Sequence, residues 1–311
     1  MSAVLVADRL VKSYRSVRAV HEISLEVAPG EIYGLLGPNG AGKTTTLSMI
    51  TGILRPDSGS VHIDGVSITR ARARGRLGLV PQEIALYPEL TALENLHFFG
   101  HMQGRRGRDL QRRALDALAV VGLAGHAKKR TATFSGGMKR RLNIAVALVH
   151  SPDVIVLDEP TAGVDSQSRN AILDQVRQLA DAGAAVVFAS HYMDEVQRLC
   201  DRIGIIDGGE MVVTGTVSEI LAKAVARPRF VLTADDRQYS ELEDSLRTLA
   251  EVVETSVVRD ELHVLVSDSS VNVTSLLHVA EIANVPLRGL QFIRPTLEDV
   301  FLELTGKALR E

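Results

Sequence analysis

Cysteine is almost absent from this 311-residue chain. Cys200 stands alone, so no internal disulfide can form, which fits a reducing compartment, and its neighbours mark it as a packed helix residue. No apolar run approaches the roughly 18 residues that suggest a membrane span. The longest, residues 144–149 and 184–189, have the length of core strands or helices. The amino terminus shows neither the basic start nor the apolar core of a secretion signal. The expectation is a soluble protein, or one held at a membrane only through a partner. A large positive charge is missing too: the net charge of −3 argues against a general nucleic-acid binder. Two local arginine clusters remain, Arg70, Arg72, Arg74 and Arg76, then Arg105, Arg106, Arg108, Arg112 and Arg113. Without interleaved aromatics they read as solvated faces, or as a rim toward an anionic membrane, rather than an RNA site.

What is present is a glycine-rich stretch, Gly37, Pro38, Asn39, Gly40, Ala41, Gly42, Lys43, Thr44 and Thr45, between an apolar run at 32–36 and a helical segment at 45–51. Strand, glycine loop and helix is the context that G-x-x-x-x-G-K-[ST] needs before it means phosphate binding. Glycines let successive N–H groups point inward, and the helix start adds partial positive charge at the same spot. Lys43 would reach the β and γ phosphates of a nucleoside triphosphate, and the Thr44 hydroxyl would ligate Mg²⁺. The competing reading is a chance glycine turn at a helix start.

Around this loop the chain alternates. Residues 4–27 suggest strands, and Asp64-Gly65 marks a hairpin within 61–68. A short strand at 77–80 ends at Pro81-Gln82. Residues 91–122 look helical, opened by the capping box Thr91 to Glu94, and a second helix should begin at Ser135. Strands at 154–157, 184–189 and 203–206 then alternate with helices at 166–180 and 193–200, as in a parallel sheet covered by helices with a helical insertion. A boundary falls near 222–228. Beyond it the order β-α-β-β-α-β, with two strands joined at Arg259-Asp260, predicts a small α+β, ferredoxin-like domain. A last amphipathic helix at 297–304 would put Val300, Phe301 and Leu304 on one side.

Two further elements carry chemistry. The apolar run 154–157 ends in Asp158-Glu159, and a strand that stops at paired acids projects them where α/β sheets bind ligands. Asp158 would hold Mg²⁺, and Glu159 would take the proton of an attacking water. Alone the pair is also an ordinary solvated strand end; the P-loop earlier in the chain strengthens it. Ser135-Gly136-Gly137, a serine cap with two glycines, opens a helix whose amides can meet an anion. By itself that is a capped helix, but it stands 23 residues before Asp158.

The P-loop, Gln82, Ser135-Gly136-Gly137, the run ending in Asp158-Glu159, Ala162-Gly163-Val164-Asp165 and His191 together resemble the nucleotide-binding subunit of an ATP-binding-cassette transporter, over roughly residues 3–222. Phe134 and Met138 flank the serine-glycine element where the commonest form has Leu and Gln. That departure, and Pro295 to Phe301 near the end, resemble the subgroup of drug-resistance, polyketide-antibiotic and nodulation-factor exporters. The resemblance implies an α/β P-loop NTPase cassette at 1–225, with a mostly parallel sheet, an antiparallel β subdomain and a helical insertion at about 85–150. The accessory α+β domain would occupy 226–311. It implies ATP and Mg²⁺, with Gln82 reaching the metal or water, His191 donating to the γ-phosphate, Tyr14 stacking on adenine, and Asp165 in a loop toward the opposite subunit. The implied partners are a second copy, packed head to tail so that Ser135 to Gly137 of one faces the P-loop of the other, and a separate membrane permease. A groove beside the Gln82 loop, lined by residues 87–95, would receive the permease at the cytoplasmic face of the membrane. No nucleic-acid partner is expected. The alternatives are a soluble cassette ATPase acting on ribosomes or DNA, and a different P-loop enzyme such as a GTPase or small-molecule kinase. The first usually carries two cassettes or a long coiled coil, and the second has no use for Ser135 to Gly137.

Overall fold

The computed structural model describes residues 3–223, 227–234, 239–258, 261–267 and 273–305. The chain divides into two compact units at 217/218, somewhat before the boundary expected at 225/226.

The first unit opens with two long strands, β1 (Leu5–Tyr14) and β2 (Val17–Val27), paired antiparallel. A five-residue buried strand, β3 (Ile32–Leu36), leads through the glycine loop into α1 (Lys43–Ile50). β4 (Ser58–Ile63) and β5 (Val66–Ser67) then form the expected hairpin, with Asp64 and Gly65 both at positive φ, as a primed turn requires. A short α2 (Ala71–Arg74) precedes β6 (Leu77–Val80).

The long helix expected over 91–122 is instead two helices, α3 (Ala92–Met102) and α4 (Gly107–Val120). Gly104 (φ 76°) and Gly107 (φ 59°) lie in the left-handed region, which ends one helix and lets the chain turn into the next. The capping box at Thr91 and Glu94 forms. α5 (Gly136–Leu148) starts at Ser135, and β7 (Val154–Asp158), α6 (Ser166–Asp181), β8 (Ala185–Ser190), α7 (Met193–Leu199) and β9 (Arg202–Asp207) alternate as predicted. The sequence reading missed β10 (Glu210–Gly215), whose every-other burial leaves little apolar signal, and α8 (Val217–Lys223).

These strands make an antiparallel sheet, β2-β1-β4-β5, and a six-stranded sheet, β10-β9-β3-β8-β7-β6, parallel apart from β10. Both faces of the parallel sheet are covered, so β3, β7 and β8 are buried along their whole length. The core between the two sheets includes Leu10, Ile23, Leu35, Leu47, Ile63, Val156 and Val187.

In the second unit, β11 (Arg229–Ala234), α9 (Tyr239–Leu246), β12 (Val252–Val258), β13 (Glu261–Val266), α10 (Val273–Ile282) and β14 (Leu287–Ile293) follow the predicted β-α-β-β-α-β order. Sheet order β12-β13-β11-β14, with every pair antiparallel, is the ferredoxin-like arrangement. The predicted turn at Arg259-Asp260 lies outside the described residues. In the closing α11 (Leu297–Thr305), Leu297, Val300 and Phe301 are buried, whereas Leu304 is exposed, correcting the expected stripe by one turn.

Candidate nucleotide site

Strand register assembles the site. Val80 of β6 pairs with Leu157 of β7, Asp158 with Ala189 of β8, and Ser190 with Leu36 of β3. Four parallel strands therefore end side by side, and Gln82, Glu159, His191 and Gly37, one or two residues beyond them, leave the same edge of the sheet. Ligands of open α/β sheets bind at that edge.

Two of these side chains, with Lys43, meet at the Glu159 carboxylate. Gln82 Nε2 donates to Glu159 Oε2 at 3.1 Å, His191 Nδ1 lies 3.0 Å from Glu159 Oε1, and Lys43 Nζ lies 3.6 Å from the same oxygen. Glu159 is buried and adopts φ 47°, unusual for a side-chain-bearing residue, with its N–H bonded to the Ala189 carbonyl at 3.0 Å. A backbone conformation costing on the order of 1 kcal/mol or more is thus held where the chemistry sits.

The glycine loop is packed from behind. A Cβ on Gly37 would lie 2.3 Å from the Ile206 carbonyl oxygen, and one on Gly42 (φ 102°) 2.7 Å from that of Ala19. Lys43 is buried and donates to the Gly37 and Pro38 carbonyls at 2.7 and 3.1 Å. Burial lowers its pKa, opposed by the carboxylates of Glu159 and Asp158. Asn39, Gly40 and Thr44 are exposed, and Ala41 and Thr45 carry the loop into α1. Burial pushes the Asp158 pKa up, and the neighbouring Thr44 hydroxyl acts against that rise. Asp158 Oδ1 is buried without a hydrogen-bond partner. An orphaned carboxylate oxygen beside a hydroxyl is a hard oxygen donor set that suits Mg²⁺. No group of three or more His, Cys, Asp or Glu capable of holding a metal occurs among the described residues, so most ligands would have to come from phosphate and water.

The remaining predicted residues lie apart from Glu159. Ser135 caps α5, its hydroxyl accepting from Met138 N–H at 3.3 Å, and both Ser135 and Gly136 are exposed. Gly137 abuts α6, where an added Cβ would lie 2.2 Å from Ser168 Oγ. Asp165 caps α6, accepting from the Ser168 N–H and hydroxyl, both at 2.8 Å. Tyr14 is 49% exposed at the β1–β2 hairpin. Cys200 is buried, and burial drives its thiol pKa far up.

Sequence reasoning missed the supports of this site. Glu195 on α7 is fully buried: Thr161 and Ser190 hydroxyls donate to Oε2 at 2.8 and 3.0 Å, and Arg169 Nε lies 3.4 Å from Oε1. It ties the segment after Glu159 to the one before His191. Arg140 is buried as well, on the face of α5 that it shares with Gly137, Ile144 and Ala147. The expected groove also needs correction. A cavity of about 630 Å³ lies beside the Gln82 loop, lined by Ile53, Leu79, Ala85, Phe99, Met102 and Val146 among others, but by no residue from 87–95. Asn95 is instead buried, its amide bonded to both backbone groups of Tyr87 and to Thr131 Oγ1.

A glycine loop at a strand-to-helix junction, with acids at the end of a parallel strand and a histidine just after the strand between, defines a P-loop nucleoside triphosphatase. Residues 20–162 match the ABC transporter family. The linearmycin resistance ATP-binding protein LnrL of Bacillus subtilis (strain 168) is 46% identical over 312 residues, covering 99% of this chain and 100% of LnrL. The daunorubicin/doxorubicin resistance ATP-binding protein DrrA of Streptomyces peucetius is 35% identical, covering 96% of this chain and 91% of DrrA. Among solved structures, an ATP-binding subunit of an ABC transporter superposes with TM-score 0.64 at 28% identity, covering 71% of this chain and 92% of that one. A dimeric post-hydrolysis ATP-binding cassette with ADP and Pi gives 0.62 at 28%, covering 68% and 98%. The chain belongs to the ABC transporter family as an ATP-binding subunit, and it is an ATPase.

Proposed function

We propose that the chain powers export of an amphipathic small molecule, a drug, antibiotic or lipid-like compound, through a separate membrane permease. The relatives named for linearmycin resistance, daunorubicin resistance and Nod factor export support that direction. No helix among the described residues is long and apolar enough to cross a membrane, so attachment at the cytoplasmic face would run through the permease, docked at the apolar cavity beside Gln82.

The observation that carries the mechanism is the convergence of Lys43, Gln82 and His191 on Glu159. In this reading the amides of Gly37 to Thr45 and the Lys43 ammonium hold the ATP phosphates, and Tyr14 offers its exposed ring to adenine. Thr44, Asp158 and Gln82 would supply oxygens to hold Mg²⁺. Bound Mg²⁺ would neutralise phosphate charge. Glu159 takes a proton from water as the water oxygen bonds the γ-phosphorus and the bond to ADP breaks, and His191 donates to the γ-phosphate. Ser135, Gly136 and Gly137 present free amides to the ATP of a second copy, with Asp165 in the adjoining loop, so that two ATP molecules lie between copies packed head to tail. ATP favours closure by binding the closed pair better, and hydrolysis releases it.

Glu159→Gln keeps shape and hydrogen bonding but cannot take the proton. Phosphate release should fall by about 10²- to 10⁴-fold with ATP binding retained. Turnover surviving the substitution would remove Glu159 as the base.

A further inference from the structure

Arg140 has no part in that mechanism, yet it is 4% exposed, and among the described residues no carboxylate lies within ion-pair distance of it. Its guanidinium is instead spent on backbone. Nη1 donates to the Pro81 and Gln82 carbonyls at 3.2 and 2.7 Å, and Nη2 to the Ala162 carbonyl at 3.4 Å. Burying a cation costs several kcal/mol unless hydrogen bonds replace water, so a merely space-filling position would favour an aliphatic side chain. The three acceptors belong to two loops that flank Glu159. One follows β6 and carries Gln82, whose amide touches Glu159; the other follows β7, three residues beyond Glu159. Arg140 itself lies in the first turns of α5, just behind Ser135, Gly136 and Gly137, and the start of α5 is wedged against Ser168 of α6. A planar fork can span carbonyls on two loops, which a lysine ammonium on a single stem cannot do in the same way.

We infer that Arg140 is a positioning residue that brackets the Ser135–Gly137 element to the Gln82 and Ala162 loops of its own chain. The element offered to a second copy is then linked, through one side chain, to the two loops that flank Glu159. This rests on the head-to-tail reading above. Its consequence is communication: ATP closing over one Glu159 presets the serine-glycine element that completes the other copy's site.

The test uses the full chain as wild type, Arg140→Met and Arg140→Lys. Each is measured for ATP affinity, for kcat and cooperativity of hydrolysis, and, in a Glu159→Gln background, for ATP-dependent dimer formation by light scattering. Methionine fills the volume without donors, and lysine keeps the charge without the fork. Both should bind ATP as wild type does, lose cooperativity, form less dimer, and lower kcat by about tenfold to a hundredfold, the cost of misplacing a site by a fraction of an ångström to an ångström. Wild-type kcat and dimer formation in Arg140→Met would overturn the inference. Full rescue by Arg140→Lys would also overturn it, because charge near Glu159 and Asp158 would then suffice. Loss of the melting transition in both variants would reduce Arg140 to a folding residue and likewise overturn it. Should the Glu159→Gln chain with Arg140 intact form no dimer with ATP, the head-to-tail reading itself fails and the inference falls with it.

Discussion

The first compact unit keeps charged side chains inside, and the second, among the described residues, keeps them out. Lys43, Arg140, Asp158, Glu159 and Glu195 are all buried in the unit built on the parallel sheet. In the ferredoxin-like unit the buried polar residue among those described is Thr255, and the core is Phe230, Leu232, Leu262, Val264, Leu246 and Leu276. Both units follow the same rules of burial and register. The difference is that one carries charges into low dielectric, where each must be matched by hydrogen bonds or an opposite charge, and where a bound phosphate meets a field that water would otherwise screen. Chemistry should therefore be sensitive in the first unit and stability in the second.

The sharpest way to break this comparison is to substitute one residue on each side. Glu159→Gln, tested as above, should cost turnover without abolishing the melting transition. Leu262→Ala should do the reverse, destabilising the second unit by about 2–5 kcal/mol in urea unfolding through the cavity it leaves, with turnover unchanged. A turnover loss matching the stability loss would show that the second unit supports catalysis directly.

A subtler difference lies in pH. Burial raises the Glu195 pKa above its ordinary 4.5, against the Thr161 and Ser190 hydrogen bonds and Arg169. The folded state therefore holds that proton more tightly than the unfolded chain does. The resulting stability is fully present below pH 4.5 and is lost as pH rises through the folded value. Denaturant unfolding across that range should show the decline in wild type and a flatter profile in Glu195→Gln. A decline that persists in the variant would assign it to another group. The smallest effects should be equal in the two units. Thr91 caps α3 and Thr296 accepts from Asp299 N–H at the start of α11, so Thr91→Ala and Thr296→Ala should each cost about 1 kcal/mol in unfolding experiments.

Local pattern made much of this legible. Strand and helix alternation, the Asp64-Gly65 turn, the caps at Thr91 and Ser135, and the β-α-β-β-α-β order of the second unit all follow from residue types at fixed spacing. The reading went astray where glycines within the segment broke the pattern, and where a contact from elsewhere in the chain overrode it. Apolar spacing continued across Gly104, but left-handed glycines divided the helix. Asn95, taken for a groove residue, is held inside by the backbone of Tyr87 and by Thr131.

The glycine loop, the acids at a strand end and the serine-glycine cap are properties of contiguous residues, so the sequence by itself determined that a phosphate-binding strand-loop-helix exists here and which side chains accompany it. It could not decide that Gln82, Glu159 and His191 share one hydrogen-bonded centre. That depends on the order β3-β8-β7-β6 and its register, set by pairing between residues 31, 77 and 154 positions apart. Nor could it tell a solvated Arg140 or Glu195 from a buried one. Burial is decided by what the rest of the chain lays over a residue, and for these two the covering loops were the ones that hold the site.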